Sequence, residues 1–465
     1  MQKLIIKKFN DIEELSLELK KLVVLGGMDR ANKTAIHKMI LFFRSCREVV
    51  YDILEQDRAI NIFFIDYFIN RMTSSFLNDL MYGSPKLYQD FDIIFKFTED
   101  CFARIQFQDD NVIKLHFSDT ASFSDDAPMQ NAKHQTFLEL LDDIEAYRVA
   151  FVFGQDEKWN YKDAKVFSTK RYHAYKNLTQ RIDEFFGDKR SFLAIPALKE
   201  VALPMSSEIR GLRGKKEFRV EGLMAHFFRF IRRPSLTLSS NFRESIKRYK
   251  KFVDPNPSFP TKHNQRQRYC LAQAEFINGF LESELLKGYF DQSRYPGHLF
   301  TDDGRGVTFD RMDSSLQSIF YILSLCFTSI LEDQSWVLLL EEPEGHLNPE
   351  EQKRFTQFLM FWLKHGKHTL LLSTQSAHVL ATLNTMLYAK GIIEQEKEPT
   401  YLADAYLLDE RFLIDRADIE IFELEEGTLL PALEGEPAFI PQEIITRLLG
   451  NPFADIEALH QKFSR

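Results

Sequence analysis

Apolar positions along the first 25 residues follow a strand period. Leu4 to Phe9 is apolar with lysines interleaved, Leu15, Leu17 and Leu19 alternate with polar residues, and Leu22 to Leu25 is an unbroken apolar run that ends at Gly26-Gly27. From Lys33 the period becomes helical, with Ile36, Met39, Ile40 and Phe43 on one face. The succession is strand, glycine turn, helix. Further on, Ile93–Phe97, Phe102–Phe107 and Val112–Phe117, separated by turn-forming acids and Asn111, predict an antiparallel meander. Asp119–Gln135 reads as a loop and Thr136–Val152 as an amphipathic helix.

The closing third alternates more sharply. A helix is predicted through Leu316, Ile319, Phe320, Leu323 and Leu325. Trp336–Leu340 is a wholly apolar strand of the kind buried on both faces of a parallel sheet. Glu350–Lys364 follows as a helix that stops at His365-Gly366. Thr369–Leu372 is a second apolar strand, and Ser376–Lys390 a helix with Gly391 as its stop. Alternating strands and helices predict an α/β core. No internal repeat or low-complexity tract interrupts the pattern.

With 465 residues, 44% apolar and 13% aromatic, the chain can bury a large core. The longest largely apolar run, Phe320 to Leu331, is about a dozen residues, whereas a membrane span needs ~20. The lysine-bearing first residues do not form a signal-peptide apolar region, so a soluble, cytoplasmic protein with no membrane partner is expected. Cys46, Cys101, Cys270 and Cys326 have neither disulfide-frame nor zinc spacing. Between Glu208 and Cys270 sixteen Lys and Arg face five acids, a balance of +11 within a chain of net charge −9. Such a segment suits nucleic-acid phosphates, and it suits equally a solvated helical insertion paired with an acidic body or partner. Its helical period runs through Met224, Phe227, Phe228, Phe230 and Ile231 and is punctuated by Pro255–Pro260.

Three stretches carry chemistry. Gly27-Met-Asp-Arg-Ala-Asn32-Lys33-Thr34 fits the phosphate-loop pattern GxxxxGK[ST] except that Asn32 replaces the second glycine. In that reading backbone N–H groups bind phosphate oxygens, an exposed Lys33 reaches the β/γ-phosphates and Thr34 holds Mg²⁺. Asn tolerates the left-handed backbone better than other non-glycine residues. An ordinary strand–turn–helix corner accounts for the stretch as well. Trp336–Leu340 delivers Glu341 and Glu342 at its C-terminal end, one placed for a metal-bound phosphate and one for an attacking water, ahead of Pro343, Glu344 and the following helix. Ser373-Thr374-Gln375-Ser376 ends the next strand, where a polar side chain would sense a γ-phosphate or cap the helix that follows.

These motifs, with Ser283–Tyr289 and Asp313-Ser314-Ser315-Leu316-Gln317-Ser318, resemble the ABC-type ATPases of the RecF/SMC and OLD-nuclease branch, in particular ATP-binding subunits of Septu-type and PARIS-type anti-phage systems. The order of phosphate loop, signature, Walker B and switch is that family's order. The resemblance implies an ABC-type P-loop core with an antiparallel β-subdomain and a helical insertion. It also implies ATP and Mg²⁺ as ligands. Gly27, Asn32, Lys33 and Thr34 would bind nucleotide, Thr34 and Glu341 the metal. Glu342 would be the general base and Gln375 the switch residue. Ser314, Ser315 and Gln317 would form the signature that reaches a second subunit's nucleotide. Asn32, Ser315 and Gln375 depart from the family's glycine, glycine and histidine, and Gln375 cannot carry a positive charge.

The organisation expected is an N-terminal lobe over 1–200, a basic, mainly helical insertion over 201–300 and a C-terminal lobe over 301–465. The function implied is an ATPase that forms a homodimer or higher oligomer through nucleotide and serves a defence complex as sensor or scaffold. Its effector would be a separate nuclease or toxin. Two alternatives are a nucleotide-locked structural protein with little hydrolysis and a DNA-repair-type ATPase that binds DNA through residues 208–270.

Overall fold

A computed structural model describes residues 2–55, 68, 72–73, 90–107, 113–118, 137–150, 161–195, 242–251, 253, 262–291, 298–301, 304–308, 311–312, 314–395, 409–435 and 438–449. The expected loop at 119–135, residues 208–241 of the basic segment and Pro255–Pro260 lie outside these residues. In chain order the elements are β1 (Lys3–Phe9), β2 (Ile12–Glu18), β3 (Leu22–Gly26), α1 (Arg30–Glu55), β4 (Phe91–Lys96), β5 (Phe102–Phe107), β6 (Ile113–Phe117), α2 (Phe137–Arg148), α3 (Tyr161–Phe186) and β7 (Ser191–Ile195). Then follow α4 (Phe242–Lys250), α5 (Lys262–Phe280), β8 (Gly288–Asp291), β9 (His298–Thr301), β10 (Gly306–Thr308), α6 (Ser314–Leu331), β11 (Trp336–Glu341), α7 (Pro349–Lys364), β12 (Thr369–Ser373), α8 (Ala377–Gln395), β13 (Ile419–Glu425), β14 (Thr428–Pro431) and α9 (Gln442–Leu449).

The chain divides into two compact units, one of residues 1–19, 34–189 and 426–428, the other of 20–33, 190–425 and 429–465. The first is built on an antiparallel sheet of order β2-β1-β4-β5-β6, so the expected meander is joined to the opening hairpin. Alternate residues of its strands, among them Leu4, Ile6, Ile93, Phe95 and Ile105, are buried, as a sheet with one covered face requires. Phe43 of α1 stacks on Phe95 with ring centroids 5.5 Å apart, and Phe117 stacks on Phe137 at 4.1 Å. Asp188 takes the buried Arg44 guanidinium at 2.8 Å.

The second unit carries the parallel sheet, of order β14-β13-β3-β12-β11-β7, in which β13, β3, β12, β11 and β7 run parallel. Every residue of β3, β11 and β12 is buried, which is why these strands read as continuous apolar runs. Ile319, Leu323 and Phe327 of α6 and Phe358 and Trp362 of α7 belong to the same core cluster as Leu338, Leu340, Leu370 and Leu372. The start of α7 is fixed by a capping box. The Asn348 side chain accepts from the Glu351 N–H at 3.0 Å, the Glu351 carboxylate accepts from the Asn348 N–H at 2.9 Å, and Pro349 is the first helical residue.

Two expected boundaries move, and a small sheet is added. Helix α1 begins at Arg30, three residues before Lys33, because Asp29 caps it. Helix α8 runs through Gly391 to Gln395: Lys390 pairs with Glu394 at 3.2 Å and with Asp415 at 3.4 Å, holding the turn that glycine was expected to end. Strands β8, β9 and β10 form a three-stranded antiparallel sheet that begins in the region read as mainly helical and ends beyond it. All four cysteines are free thiols. Among the described residues no helix is long and apolar enough to cross a membrane.

His368, just before β12, is buried against Trp362 with ring centroids 4.0 Å apart, and its Nδ1 accepts from the Trp336 N–H at 3.2 Å. Burial pushes its pKa down from 6.5 to about 3, helped by Arg190 and Lys21. The unfolded chain therefore takes up a proton below pH 6.5 that the folded chain refuses, and stability falls with pH by about 1.4 kcal/mol per unit. Denaturant unfolding at pH 7 and pH 5 should show a loss about 2 kcal/mol smaller in His368→Asn, which keeps an acceptor, than in the wild type. Equal losses would show that His368 protonates in place.

Candidate functional site

Strand register determines what can meet. Leu25 lies opposite Ser373, and Ser373 opposite Glu341, so β3, β12 and β11 end at one level. The ladder continues one residue past each strand, since Thr374 N–H donates to Leu25 O at 3.0 Å and Glu342 N–H to Ser373 O at 2.9 Å. Ligands of open α/β sheets bind outside this carboxyl edge. The three stretches singled out in the sequence all leave the sheet here.

Gly27 has φ +103°, and a Cβ at this position would stand 2.5 Å from Leu424 O, so the turn requires glycine. Asp29 then caps α1: its Oδ1 accepts from the Asn32 N–H at 3.1 Å and its Oδ2 from the Asn32 Nδ2 at 2.7 Å. Asn32 therefore does not take the left-handed backbone that its residue type suggested; it is a buried residue in the first turn of the helix. Lys33 also differs from expectation. Its side chain is 1% exposed, not solvent-facing, and its Nζ donates to Gly27 O at 2.7 Å and Thr374 O at 3.0 Å. Burial lowers its pKa to about 8, against the pull of Glu342, Glu344, Glu341 and Asp29. Thr34 follows in α1, half-buried.

Glu341 ends β11 and is buried. Glu342 has φ +45°, a left-handed conformation that costs a non-glycine residue of order 1–3 kcal/mol and recurs at functional turns. Its carbonyl accepts from the Gly345 N–H at 3.2 Å, closing the turn. The side chain is 10% exposed; Oε1 lies 3.9 Å from Lys33 Nζ and Oε2 3.7 Å from Arg30 Nε. Glu344 is buried, and its Oε1 accepts from the Thr374 hydroxyl. Burial raises its pKa to about 7, against the Thr374 hydrogen bond. Glu342 Oε1, Glu344 Oε2 and Ser373 Oγ have no hydrogen-bond partner among the described residues.

At the switch stretch both functional and capping roles have a place. Ser376 Oγ accepts from the N–H groups of His378 and Val379 at 3.1 and 3.2 Å and so caps α8, while its hydroxyl donates to Gln352 Oε1. Gln375 precedes it, half-buried at the same edge. Ser314, Ser315 and Gln317 are not on these loops but in the first turn of α6, where Ser315 is buried and the Gln317 amide donates to Met312 O at 2.9 Å.

Sequence reasoning did not single out Asp29, Arg30 or Glu344. Asp29 carried a signal, an acid three residues ahead of Asn32 at a helix start. For Glu344 and Arg30 only the fold shows the burial and the ion pair. A buried ammonium and the start of a helix at this edge suit a negatively charged group, and the acid pair beside them suits a cation that accompanies it.

No family model matches the chain, and no curated protein matches it by sequence. Among solved structures the chain is similar to the SMC head domain from Thermotoga maritima, at 9% identity over 92% of this chain and 97% of that one, with a TM-score of 0.33. It is also similar to the Smc head domain with an extended coiled coil bound to the C-terminal domain of ScpA from Pyrococcus furiosus, at 12% identity over 97% and 99%, TM-score 0.35. A SmcHead bound to the C-winged helix domain of ScpA aligns at 10% identity over 95% and 98%, TM-score 0.35. At these identities and scores the function rests on the site's own chemistry.

Thr374→Val retains the shape and removes the hydroxyl that serves Glu344. It should destabilise the chain by about 1–3 kcal/mol, the cost of leaving a buried polar group unpaired. Denaturant midpoints measure this, and an unchanged midpoint would mean that Glu344 does not depend on Thr374.

Proposed function

We propose that the chain binds ATP with Mg²⁺ at the carboxyl edge of its parallel sheet and hydrolyses it, as an ABC-class ATP-binding subunit. The observation that carries the reading is Lys33: an almost fully buried ammonium near the start of α1, 3.9 Å from Glu342, the residue after β11. The residues fit the ligands. Three buried polar atoms at or beside the strand ends, Glu342 Oε1, Glu344 Oε2 and Ser373 Oγ, lack partners that a hydrated cation or its waters would provide.

In this reading the N-terminal turn of α1 and Lys33 hold the β- and γ-phosphate oxygens, and Thr34 and Glu341 would hold Mg²⁺. Bound there, the cation supplies charge neutralisation to the phosphates. Glu342 orients a water at the γ-phosphorus and accepts its proton; Arg30 fixes the second carboxylate oxygen. Gln375 offers an amide donor to the γ-phosphate. A neutral amide stabilises developing negative charge less than a cation would, so turnover is slow.

Ser314, Ser315 and Gln317 then serve a second copy's nucleotide and make the working unit a homodimer or higher oligomer. The finer role, sensor or scaffold of an anti-phage complex with a separate effector chain, rests on the motif resemblance, and co-purification would identify that effector. The neutral Gln375 also favours a second reading, a protein locked by nucleotide with little turnover.

Lys33→Ala should remove the thermal stabilisation that Mg²⁺-ATP gives the wild type, about 2.7 kcal/mol at a hundredfold excess over Kd. Because Lys33 is buried, the unliganded variant will also melt earlier, and the readout is the ATP-induced shift. Glu342→Gln should keep the shift and abolish phosphate release. An equal shift in wild type and Lys33→Ala would show that nucleotide does not bind at this loop, and unchanged phosphate release in Glu342→Gln would remove Glu342 as the base.

A further inference from the structure

The phosphate loop carries an anion of its own. Both carboxylate oxygens of Asp29 are engaged by Asn32, one by the backbone N–H at 3.1 Å and the other by Nδ2 at 2.7 Å. That backbone N–H is among the donors at a helix start with no partner inside the helix, the group through which such a loop would take a phosphate oxygen. We infer that Asp29 competes with phosphate for the first turn of α1, so that the Asp29–Asn32 contact must open before a nucleotide is held and Asp29 sets the loop's affinity. The inference rests on the nucleotide reading of the site.

Asp29 and Asn32, the one residue that departs from the loop pattern, act here as one device. A glycine at position 32 would offer Asp29 only its backbone N–H; the Asn32 side chain supplies a donor for the second oxygen and locks the carboxylate across the helix end. Charge works in the same direction. Asp29, Glu341, Glu342 and Glu344 all bear on Lys33, and Arg30 faces Glu342 at 3.7 Å. A polyphosphate entering this edge meets carboxylates at short range, where repulsion between unit charges is strong. A separate feature marks the place as one for a ligand: the Glu342 side chain is nine-tenths buried, yet its Oε1 beside Lys33 accepts no hydrogen bond. Asp29 thus weakens the binding of every anion at the loop, and capture depends on the favourable contacts at Lys33 outweighing the broken cap.

Titration of a fluorescent ATP analogue with Mg²⁺ into wild type, Asp29→Asn, Asn32→Gly and Lys33→Ala tests this. Asparagine caps a helix as well as aspartate does, so Asp29→Asn removes charge with little change in unliganded melting temperature. Its Kd should fall at least tenfold. Asn32→Gly, which frees one oxygen and keeps the charge, should show a smaller tightening, about threefold, and Lys33→Ala should lose binding. If Asp29→Asn binds no more tightly than wild type while Lys33→Ala remains defective, the inference is overturned and the site reading stands. Should Asp29→Asn melt early without ligand, Asn32→Gly decides in its place. Binding by Lys33→Ala equal to wild type would overturn the site reading and the inference together.

Discussion

An ammonium group can be taken out of water only where its charge is answered at once, and the burial of Lys33 is the constraint on which the rest of the carboxyl edge depends. The desolvation of a lysine costs several kcal/mol, enough to pull its pKa to about 8. Gly27 O and Thr374 O satisfy two of its three donors, at 2.7 and 3.0 Å. The Glu342 carboxylate stands 3.9 Å away and supplies opposite charge without a hydrogen bond. Each of these groups comes from a different strand end. Lys33 is therefore held only if β3, β12 and β11 finish at the same level, which the parallel register ensures.

The connection from sheet to chemistry is made by backbone that is unfavourable elsewhere. Gly27 at φ +103° brings the chain from β3 around to α1 against Leu424, and Glu342 at φ +45° turns its carboxylate back over the edge. Strain of this kind persists when packing over-determines it. Here the fully buried strands β11 and β12, with α6 and α7 in the same core, supply that packing. The acids are graded by environment. Glu344, buried with one hydroxyl partner, holds its proton to about pH 7. Glu342, beside Lys33 and Arg30, has cations on both oxygens. Two carboxyl groups two residues apart thus stand in different surroundings, one paired with a hydroxyl and one with cations.

The α/β class, the three central strands and the acid pair were legible because buried parallel strands announce themselves as unbroken apolar runs and because Glu341 and Glu342 follow such a run directly. The meander was legible from its period of two, but its union with β1 and β2 in one sheet depends on long-range pairing that no local pattern encodes. Helix α1 was placed three residues late because Asp29 read as part of a loop, although an acid three residues before Asn32 is a capping signal. Gly391 reads as a helix stop; its cost of about 1 kcal/mol inside α8 is partly offset by the half-exposed ion pairs of Lys390. The burial of Lys33 and of Glu344 was beyond local reading, since it is created by strands that lie more than 300 residues apart in sequence.

Amide hydrogen exchange with and without Mg²⁺-ATP tests most directly whether the three strand ends are one site. The account predicts added protection at residues 27–34, 341–344 and 373–376 together, at the same nucleotide concentration. Protection confined to one of these stretches, or confined to segments away from all three, would contradict it.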